Sequence, residues 1–361
     1  MNTIKENNSL SHRQHLLLNR DHKKAAKAAQ LVYVSDKQPG IKRWKKGKGF
    51  TYTYKNKPLK DKLQLERIRR LAIPPSWSDV WICHSPAGHI QATGLDLNKR
   101  KQYRYHAKWN SLRGETKFHR LYEFGKSLPK IRQKIKKDMA GTELTDNKVL
   151  ATAINLMEKT YIRVGNNEYE KLYGSYGLTT LKDKHVKIGG NTIQFTFPGK
   201  KGVEQHVSVS SKKLANAIKQ CRDVPGKTLF QFYTPGEKHR AIDSGMVNHY
   251  IKEAAGQDFS AKDFRTWAGT LQALKCLGPL ENMPDEKLLK KNMLGVIDTV
   301  SARLGNTRAI CKKYYIHPCL FRLYEEGKLQ DYMKKRGKKN TQQGDFSPSE
   351  HLLLHILKEC S

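Results

Sequence analysis

The hydrophobic pattern of this chain changes period near residue 110, and that change limits what it can fold into. From Val32 to about Trp109 the sequence reads as short strands and turns. Phe50-Thr-Tyr-Thr-Tyr alternates residue by residue, as does Val80-Trp-Ile-Cys-His ahead of the Ser85-Pro-Ala-Gly turn. A period of two marks half-buried strands. Leu63–Leu71 predicts a helix stopped by Pro74-Pro75. From Ser111 the period becomes helical: Asn147–Val164 places Leu150, Ala153, Ile154, Met157 and Tyr161 on one stripe, with Gly165 as a stop signal. The helical half is itself interrupted. His185-Val-Lys-Ile, Thr192–Phe197 and Val203–Val209 predict three strands joined at Gly189-Gly-Asn and Pro198-Gly-Lys-Lys-Gly. Helices are expected to resume near Ser211 and continue to Gly327.

This pattern predicts an α+β protein of two domains, for which 361 residues are long enough. A small strand-rich N-terminal domain is expected at 31–110. A mainly helical domain carrying the three-stranded insertion is expected at 111–330. Residues 1–30 read as a basic arm with a short helix around His22–Leu31. Residues 331–361 read as a partly disordered basic tail in which Glu350–Leu357 predicts one more helix. No internal repeat is visible.

Charge then narrows the partner. The chain carries 68 Lys+Arg against 33 Asp+Glu, a net +35. Such a surplus favours a polyanion, because each phosphate contact releases counterions. The cations are also clustered: residues 41–60 hold eight Lys or Arg and no acid, and residues 99–137 hold fourteen against Glu115 and Glu123. Trp44, Phe50, Tyr52, Tyr54, Tyr103, Tyr105 and Trp109 interleave with them. Any one basic run reads as a solvated face. Two runs mixed with aromatics fit a nucleic-acid surface better.

Other classes find little support. No apolar run approaches the length of a transmembrane helix, and the first residues lack a secretory pattern, so a cytoplasmic, nucleoid-associated protein is expected. The six cysteines show no Cys-x-x-Cys pair and read as reduced packing residues. Cys311, His317 and Cys319 lie close in sequence, but without a second ligand pair they are weak evidence for zinc. Neither Gly-x-x-x-x-Gly-Lys-Ser/Thr nor Gly-x-Gly-x-x-Gly occurs. No cofactor is expected.

Tyr315, in Arg308-Ala-Ile-Cys-Lys-Lys-Tyr-Tyr-Ile-His-Pro, is a candidate nucleophile toward a phosphodiester. That chemistry needs fixed cations around one phosphate and a proton donor for the leaving oxygen. Four further positions can supply them, and each has a plainer reading. Arg163, in Tyr161-Ile-Arg-Val-Gly, would ordinarily complement a helix C-terminus. Lys200 would be an exposed hairpin lysine, Arg265 a salt-bridge partner of Asp263, and Asn306 a helix cap.

Taken in order, Arg163, Lys200, Arg265, Asn306 and Tyr315 resemble the set of the type IB DNA topoisomerases, the short bacterial and poxvirus class in particular. The resemblance covers about residues 30–325. Ile73-Pro-Pro-Ser-Trp, Gly88-His-Ile-Gln-Ala-Thr-Gly, Arg100-Lys-Gln-Tyr-Arg-Tyr, Phe197-Pro-Gly-Lys, Phe264-Arg-Thr-Trp and Lys313-Tyr-Tyr-Ile-His-Pro support it. It implies a bilobed clamp gripping duplex DNA, acting as a monomer. It implies a 3′-phosphotyrosyl link at Tyr315, with Arg163, Arg265 and Asn306 on the phosphate and Lys200 as general acid. Strand rotation and religation would then relax supercoils without ATP or obligatory metal. It also implies DNA contacts by Arg100, Tyr103, Tyr105 and Tyr169. Asn306 stands where poxvirus and eukaryotic members carry His, as in the bacterial branch, so this position cannot titrate. Tyr314 and Tyr315 are adjacent, and only one can face the phosphate; the family frame favours Tyr315. A tyrosine recombinase uses a similar set, but its usual His-x-x-Arg frame is Lys262-Asp-Phe-Arg265 here. A purely architectural DNA-binding protein would not require Tyr315.

Overall fold

The structure, a computed structural model, describes residues 12–360 apart from 48, 98, 235, 237–238, 281–284 and 338–345. It divides into two compact units, Met1–Arg120 and Leu121–Ser361. The division falls inside one long helix rather than at residue 110, where the change of period had set it.

The first unit contains α1 (His12–Arg20), α2 (His22–Ala28), β1 (Ile41–Lys46), β2 (Gly49–Tyr54), β3 (Lys57–Pro58), α3 (Lys62–Arg70), β4 (Ser78–Ile82), β5 (Ile90–Leu95) and β6 (Lys101–Tyr105). It also holds the beginning of α4 (Ala107–Asp138). Its strands form one antiparallel sheet of order β3-β2-β1-β4-β5-β6. Ile41, Val80, Ile82 and Ala92 point to one face, where Ile68 of α3 covers them. The helix forms there because Asp61 accepts from the free N–H groups of Leu63 and Gln64. The described part of the 1–30 arm is two helices rather than one. Leu18, Ala25 and Ala26 are buried with Trp109 and Leu112, which ties α1 and α2 down.

The second unit continues with α5 (Asp146–Thr160), α6 (Asn167–Tyr173), β7 (Val186–Gly189), β8 (Thr192–Pro198), β9 (Glu204–Ser210), α7 (Lys212–Arg222), β10 (Gln231–Tyr233), β11 (His239–Ala241) and α8 (Ser244–Ala255). It ends with α9 (Ala261–Leu277), α10 (Glu286–Leu304), α11 (Arg308–Tyr314), α12 (Pro318–Glu325), α13 (Leu329–Gly337) and α14 (Pro348–Cys360). The three-stranded insertion forms in the order β7-β8-β9, with the inward residues Ile193, Phe195 and Phe197 buried. One large core joins these residues to α5, α7, α8, α9 and α10.

Three expectations change in this unit. The helix expected over 147–164 stops at Thr160, because Tyr161 turns left-handed at φ 60° and caps it. Arg163 therefore lies beyond the helix. Its carbonyl accepts from Leu178 N at 2.8 Å, and Val164 O accepts from Thr179 N at 2.8 Å. Second, the helices after Ser211 are broken by the hairpin β10–β11, whose three-residue strands are too short to show an alternating period. Third, the stretch from 331 holds two helices. α14 buries Leu352, Leu353, Ile356 and Leu357 in the main core, so its described part is an integral element. No helix among the described residues is long and apolar enough to cross a membrane.

Candidate active site

The second unit brings four of the five candidate residues to one point. Arg265 lies on α9 and is buried. Its Nη2 donates to Leu304 O at 2.8 Å and its Nη1 donates to Tyr161 O. Arg163 donates through Nη2 to Gly305 O at 2.7 Å and to Asn306 Oδ1. The accepting carbonyls are at the C-terminal ends of α5 and α10. Helix C-termini carry partial negative charge, so they suit cations. The backbone at both ends turns to present these carbonyls: Tyr161 is left-handed, and Gly305 at φ 56° supplies the left-handed cap of α10.

Neither arginine has a carboxylate partner among the described residues. Burial, followed by the nearby Arg265 charge, pulls the Arg163 guanidinium down to about 10. Burial lowers Arg265 as well, opposed by Tyr315. Crowded, desolvated cations of this kind favour an anion. Two donors at the same place also lack a hydrogen-bond partner: Arg265 Nε and Asn306 Nδ2 are both buried and unsatisfied. Asn306 faces the Cys311 thiol, helping the two arginines oppose the rise that burial imposes on it, without a well-formed hydrogen bond to Nδ2. Its Oδ1 is taken by Arg163, which turns the amide so that Nδ2 remains free to donate. The expected alternative, Asn306 as a helix cap, does not apply, because Thr307 occupies the cap position of α11. Asp263 is not the partner of Arg265 either; it accepts from Ser260 N at 2.9 Å and closes a capping box.

The adjacent tyrosines differ in their surroundings. The Arg265 guanidinium lies 5.3 Å from the centre of the Tyr315 ring, whereas the Tyr314 ring is covered by Lys313 at 5.3 Å. Tyr315 stands just past the last turn of α11, half-buried. Thr270 Oγ1 donates to its carbonyl at 3.2 Å and accepts from His317 N at 3.1 Å, fixing the backbone around Tyr315 from both sides. Gly269 allows this approach: a Cβ there would sit 2.5 Å from Tyr315 O.

Lys200 is exposed at the β8–β9 turn. It lines a small cleft together with Arg163, Tyr161, Tyr176, Gln205 and Arg303. Gln205 of β9 reaches back to α10, since a Cβ at Gly305 would lie 2.9 Å from its Oε1. The hairpin thus leans toward the arginine pocket through Gln205 rather than through the lysine.

In the first unit, Tyr103 and Tyr105 lie on the edge strand β6, exposed and stacked with ring centres 5.7 Å apart. They are not packing residues of the sheet. Arg100 is held by Asp96, with Nε donating at 2.7 Å, so it presents a compensated charge. Tyr169 lies on α6, and its side chain is outside the described residues. Within the basic run 41–60, Arg43 is structural: it donates to Pro74 O at 3.1 Å and stacks on Phe50 at 4.2 Å. Among the described residues no His, Cys, Asp or Glu group of three or more is arranged to hold a metal. Cys311, His317 and Cys319 do not converge; His317 Nδ1 accepts from Cys319 N at 3.2 Å as a cap.

The sequence reading missed Gly269, Thr270, Gly305, Gln205 and the carbonyl of Tyr161. One signal was available. A glycine inside the apolar stripe of α9 weakens a helix unless another backbone approaches there.

A family model described as the eukaryotic DNA topoisomerase I catalytic core matches residues 106–343. Another, the bacterial DNA topoisomerase IB N-terminal domain, matches residues 49–96. The chain is 33% identical over 295 residues to DNA topoisomerase 1B of Acanthamoeba polyphaga mimivirus, covering 79% of this chain and 88% of that one. It is 24% identical over 308 residues to DNA topoisomerase 1B of vaccinia virus (strain Copenhagen), covering 81% and 92%. DNA topoisomerase 1 of rabbit fibroma virus is 24% identical over 264 residues, covering 70% and 78%.

Proposed function

The chain belongs to the type IB DNA topoisomerases, enzymes whose substrate is DNA, and from that premise we propose that it relaxes positive and negative supercoils through a transient 3′-phosphotyrosyl bond at Tyr315. The observation that carries this reading is the pair of buried, unsatisfied donors: Arg265 Nε, on the guanidinium beside the Tyr315 ring, and Asn306 Nδ2, on the amide that Arg163 holds. Buried donors without acceptors are costly unless a ligand completes them. A scissile phosphate supplies the acceptors.

In this mechanism the Tyr315 oxygen attacks phosphorus, its proton passes to solvent, and the bond to the 5′-oxygen breaks. Arg163 and Arg265 bind the non-bridging oxygens, where their charge stabilises the more negative transition state. Asn306 donates through Nδ2. Lys200, at its exposed turn, closes over the bond and protonates the leaving oxygen. The free strand rotates, and the 5′-hydroxyl then attacks the phosphotyrosine to restore the duplex. Phosphodiester energy is conserved in the tyrosyl bond, so the cycle does not need ATP. Side-chain cations supply the charge that a metal would otherwise bring. The exposed Tyr103 and Tyr105 support groove contacts by the first unit, Arg100 and Tyr169 contribute to the same duplex, and a single chain clamps the DNA.

Relaxation of positively and negatively supercoiled plasmid in EDTA without ATP tests the reading. Tyr315→Phe is expected to bind DNA without forming a covalent adduct, and Tyr314→Phe to keep the adduct. A strict requirement for ATP or metal overturns the mechanism, and an adduct that survives Tyr315→Phe overturns the nucleophile.

A further inference from the structure

Two of the six cysteines meet at the end of the chain. Cys319 lies in the first turn of α12 and is buried; Cys360 ends α14, half-buried against the same core. Arg322, one turn along α12 from Cys319, brings its Nη2 to 4.0 Å from the Cys360 sulfur. α13 braces the last turn of α14 from the other side. There the Tyr332 hydroxyl bonds to Glu359, which also pairs with His355 at 3.4 Å. None of these groups belongs to the phosphate pocket.

The chemistry of the cluster is asymmetric. The Cys319 thiol hydrogen-bonds the Cys360 sulfur and, against burial, draws Cys360 below the ordinary thiol range, with Arg322 adding to the effect. That bond, with burial, raises Cys319. A thiolate beside a guanidinium and a protonated thiol in contact with it are a nucleophile and a resolving group. Burial instead pushes Cys83, Cys221 and Cys311 up, toward inert thiols. The cluster is thus set apart from those three.

We propose that Cys319 and Cys360 are a redox modification site, oxidised by hydroperoxides to a disulfide that fastens α14 to α12. The Cys360 thiolate attacks one oxygen of hydrogen peroxide. An S–O bond forms, the O–O bond breaks and, with one proton taken up, water leaves, giving the sulfenic acid. Cys319 then attacks that sulfur. The S–S bond forms, the S–O bond breaks, and the hydroxyl departs as a second water with the Cys319 proton. Two thiols are oxidised by two electrons, one peroxide is reduced to two waters, and an added dithiol reverses the change. The bond encloses residues 320–359 of the chain, α13 among them. Because α12 starts three residues after Tyr315, it fastens the last helix to the element that follows the nucleophile.

The full-length protein is treated with hydrogen peroxide, unfolded and titrated for thiols, and its peptides are mapped without reduction. The titre is expected to fall from six to four, with one cross-link joining Cys319 to Cys360. The cross-link should raise Tm on the order of 5–10 °C, because it closes a long loop in the unfolded chain. Dithiothreitol should remove the shift, and Cys360→Ser and Cys360→Ala should never show it. In Cys319→Ser, dimedone should trap a sulfenic acid at Cys360. A titre that stays at six, a bond between other cysteines, or a reducible Tm shift that persists in both Cys360 variants overturns the proposal. The readouts are thiol count, peptide mass and Tm, so they stand or fall independently of DNA relaxation.

Discussion

Gly269→Ala is a one-carbon test of how Tyr315, the proposed nucleophile, is held. The added Cβ would lie 2.5 Å from the Tyr315 carbonyl oxygen, 3.0 Å from Tyr315 Cβ and 3.2 Å from Leu304 Cδ1, where ordinary contact begins at 3.4 Å. Relief therefore needs a displacement of 3.4 − 2.5, about 0.9 Å, and two of the three obstacles belong to Tyr315 itself. A backbone carbonyl cannot rotate away like a side-chain tip, least of all one that accepts from Thr270 at 3.2 Å. Overpacking of this kind costs about 1–3 kcal/mol. In a unit of this size, that is a fall in Tm of roughly 2–12 °C. Misplacing a reacting group by about 1 Å costs on the order of 100-fold in rate. The assay is single-turnover covalent cleavage of a duplex oligonucleotide at saturating protein, with affinity measured in parallel. Cleavage is expected to slow by about 10- to 100-fold, while affinity stays within about 2-fold, because the phosphate-binding groups are untouched. Gly295→Ala on α10 is the control: nothing lies within 4 Å of a Cβ there, and an exposed helical alanine should stabilise by up to about 1 kcal/mol. Wild-type cleavage by Gly269→Ala would refute the argument that this contact positions Tyr315.

Two further outcomes follow from other parts of the second unit. Lys200→Ala should slow cleavage of an ordinary phosphodiester but recover on a substrate with a 5′-bridging sulfur, whose thiolate leaves without a proton; no recovery excludes the general-acid role. Glu350 tests the attachment of α14. Arg132 Nη2 donates to it at 2.6 Å and Ser347 N at 2.8 Å, and these partners, against burial, hold the carboxyl below its ordinary value of 4.5. A depressed carboxylate stabilises the fold above its unfolded pKa, and that stability is lost as pH falls through the folded one. Tm should therefore drop on acidification below about pH 4.5, and less steeply in Glu350→Gln. Glu350→Ala should cost about 1–3 kcal/mol, since Arg132 loses one of its two carboxylates and keeps Glu158. An unchanged acid slope in Glu350→Gln would assign the transition to other groups.

The sequence was most informative where period and turn chemistry coincided. The insertion β7–β9 was legible because the seven-residue β8 and β9 alternate cleanly and Gly190, at φ 58°, marks one turn. β10 and β11 were not, since three residues give no period. The end of α5 was misread because Tyr161, Ile162 and Val164 continue an apolar stripe. Only a tertiary contact, the pairing of Arg163 O with Leu178 N, takes the backbone out of the helix. The same lesson holds in the site. Arg163, Arg265, Asn306 and Tyr315 were recognisable as residue types in order, while the carbonyls that hold them carry no sequence signature. Gly269 and Gly305 were the visible traces of that scaffold.

The scaffold also leaves both arginines without a carboxylate among the described residues. A buried guanidinium usually takes a carboxylate, as Arg132 does with Glu158 at 2.7 Å and Glu350 at 2.6 Å. Such pairing would cancel the charge that a phosphate needs. Arg163 and Arg265 are held instead through their terminal nitrogens by the carbonyls of Tyr161, Leu304 and Gly305, at the negative ends of α5 and α10, while Arg265 Nε keeps no acceptor. Carbonyl dipoles satisfy the N–H groups but remove no unit of charge. The net positive field therefore remains in the pocket, at the cost of the desolvation that lowers both arginines. On the proposed mechanism phosphate binding would recover that cost, so these two helix ends would convert burial, which is ordinarily unfavourable for a cation, into affinity for the scissile group.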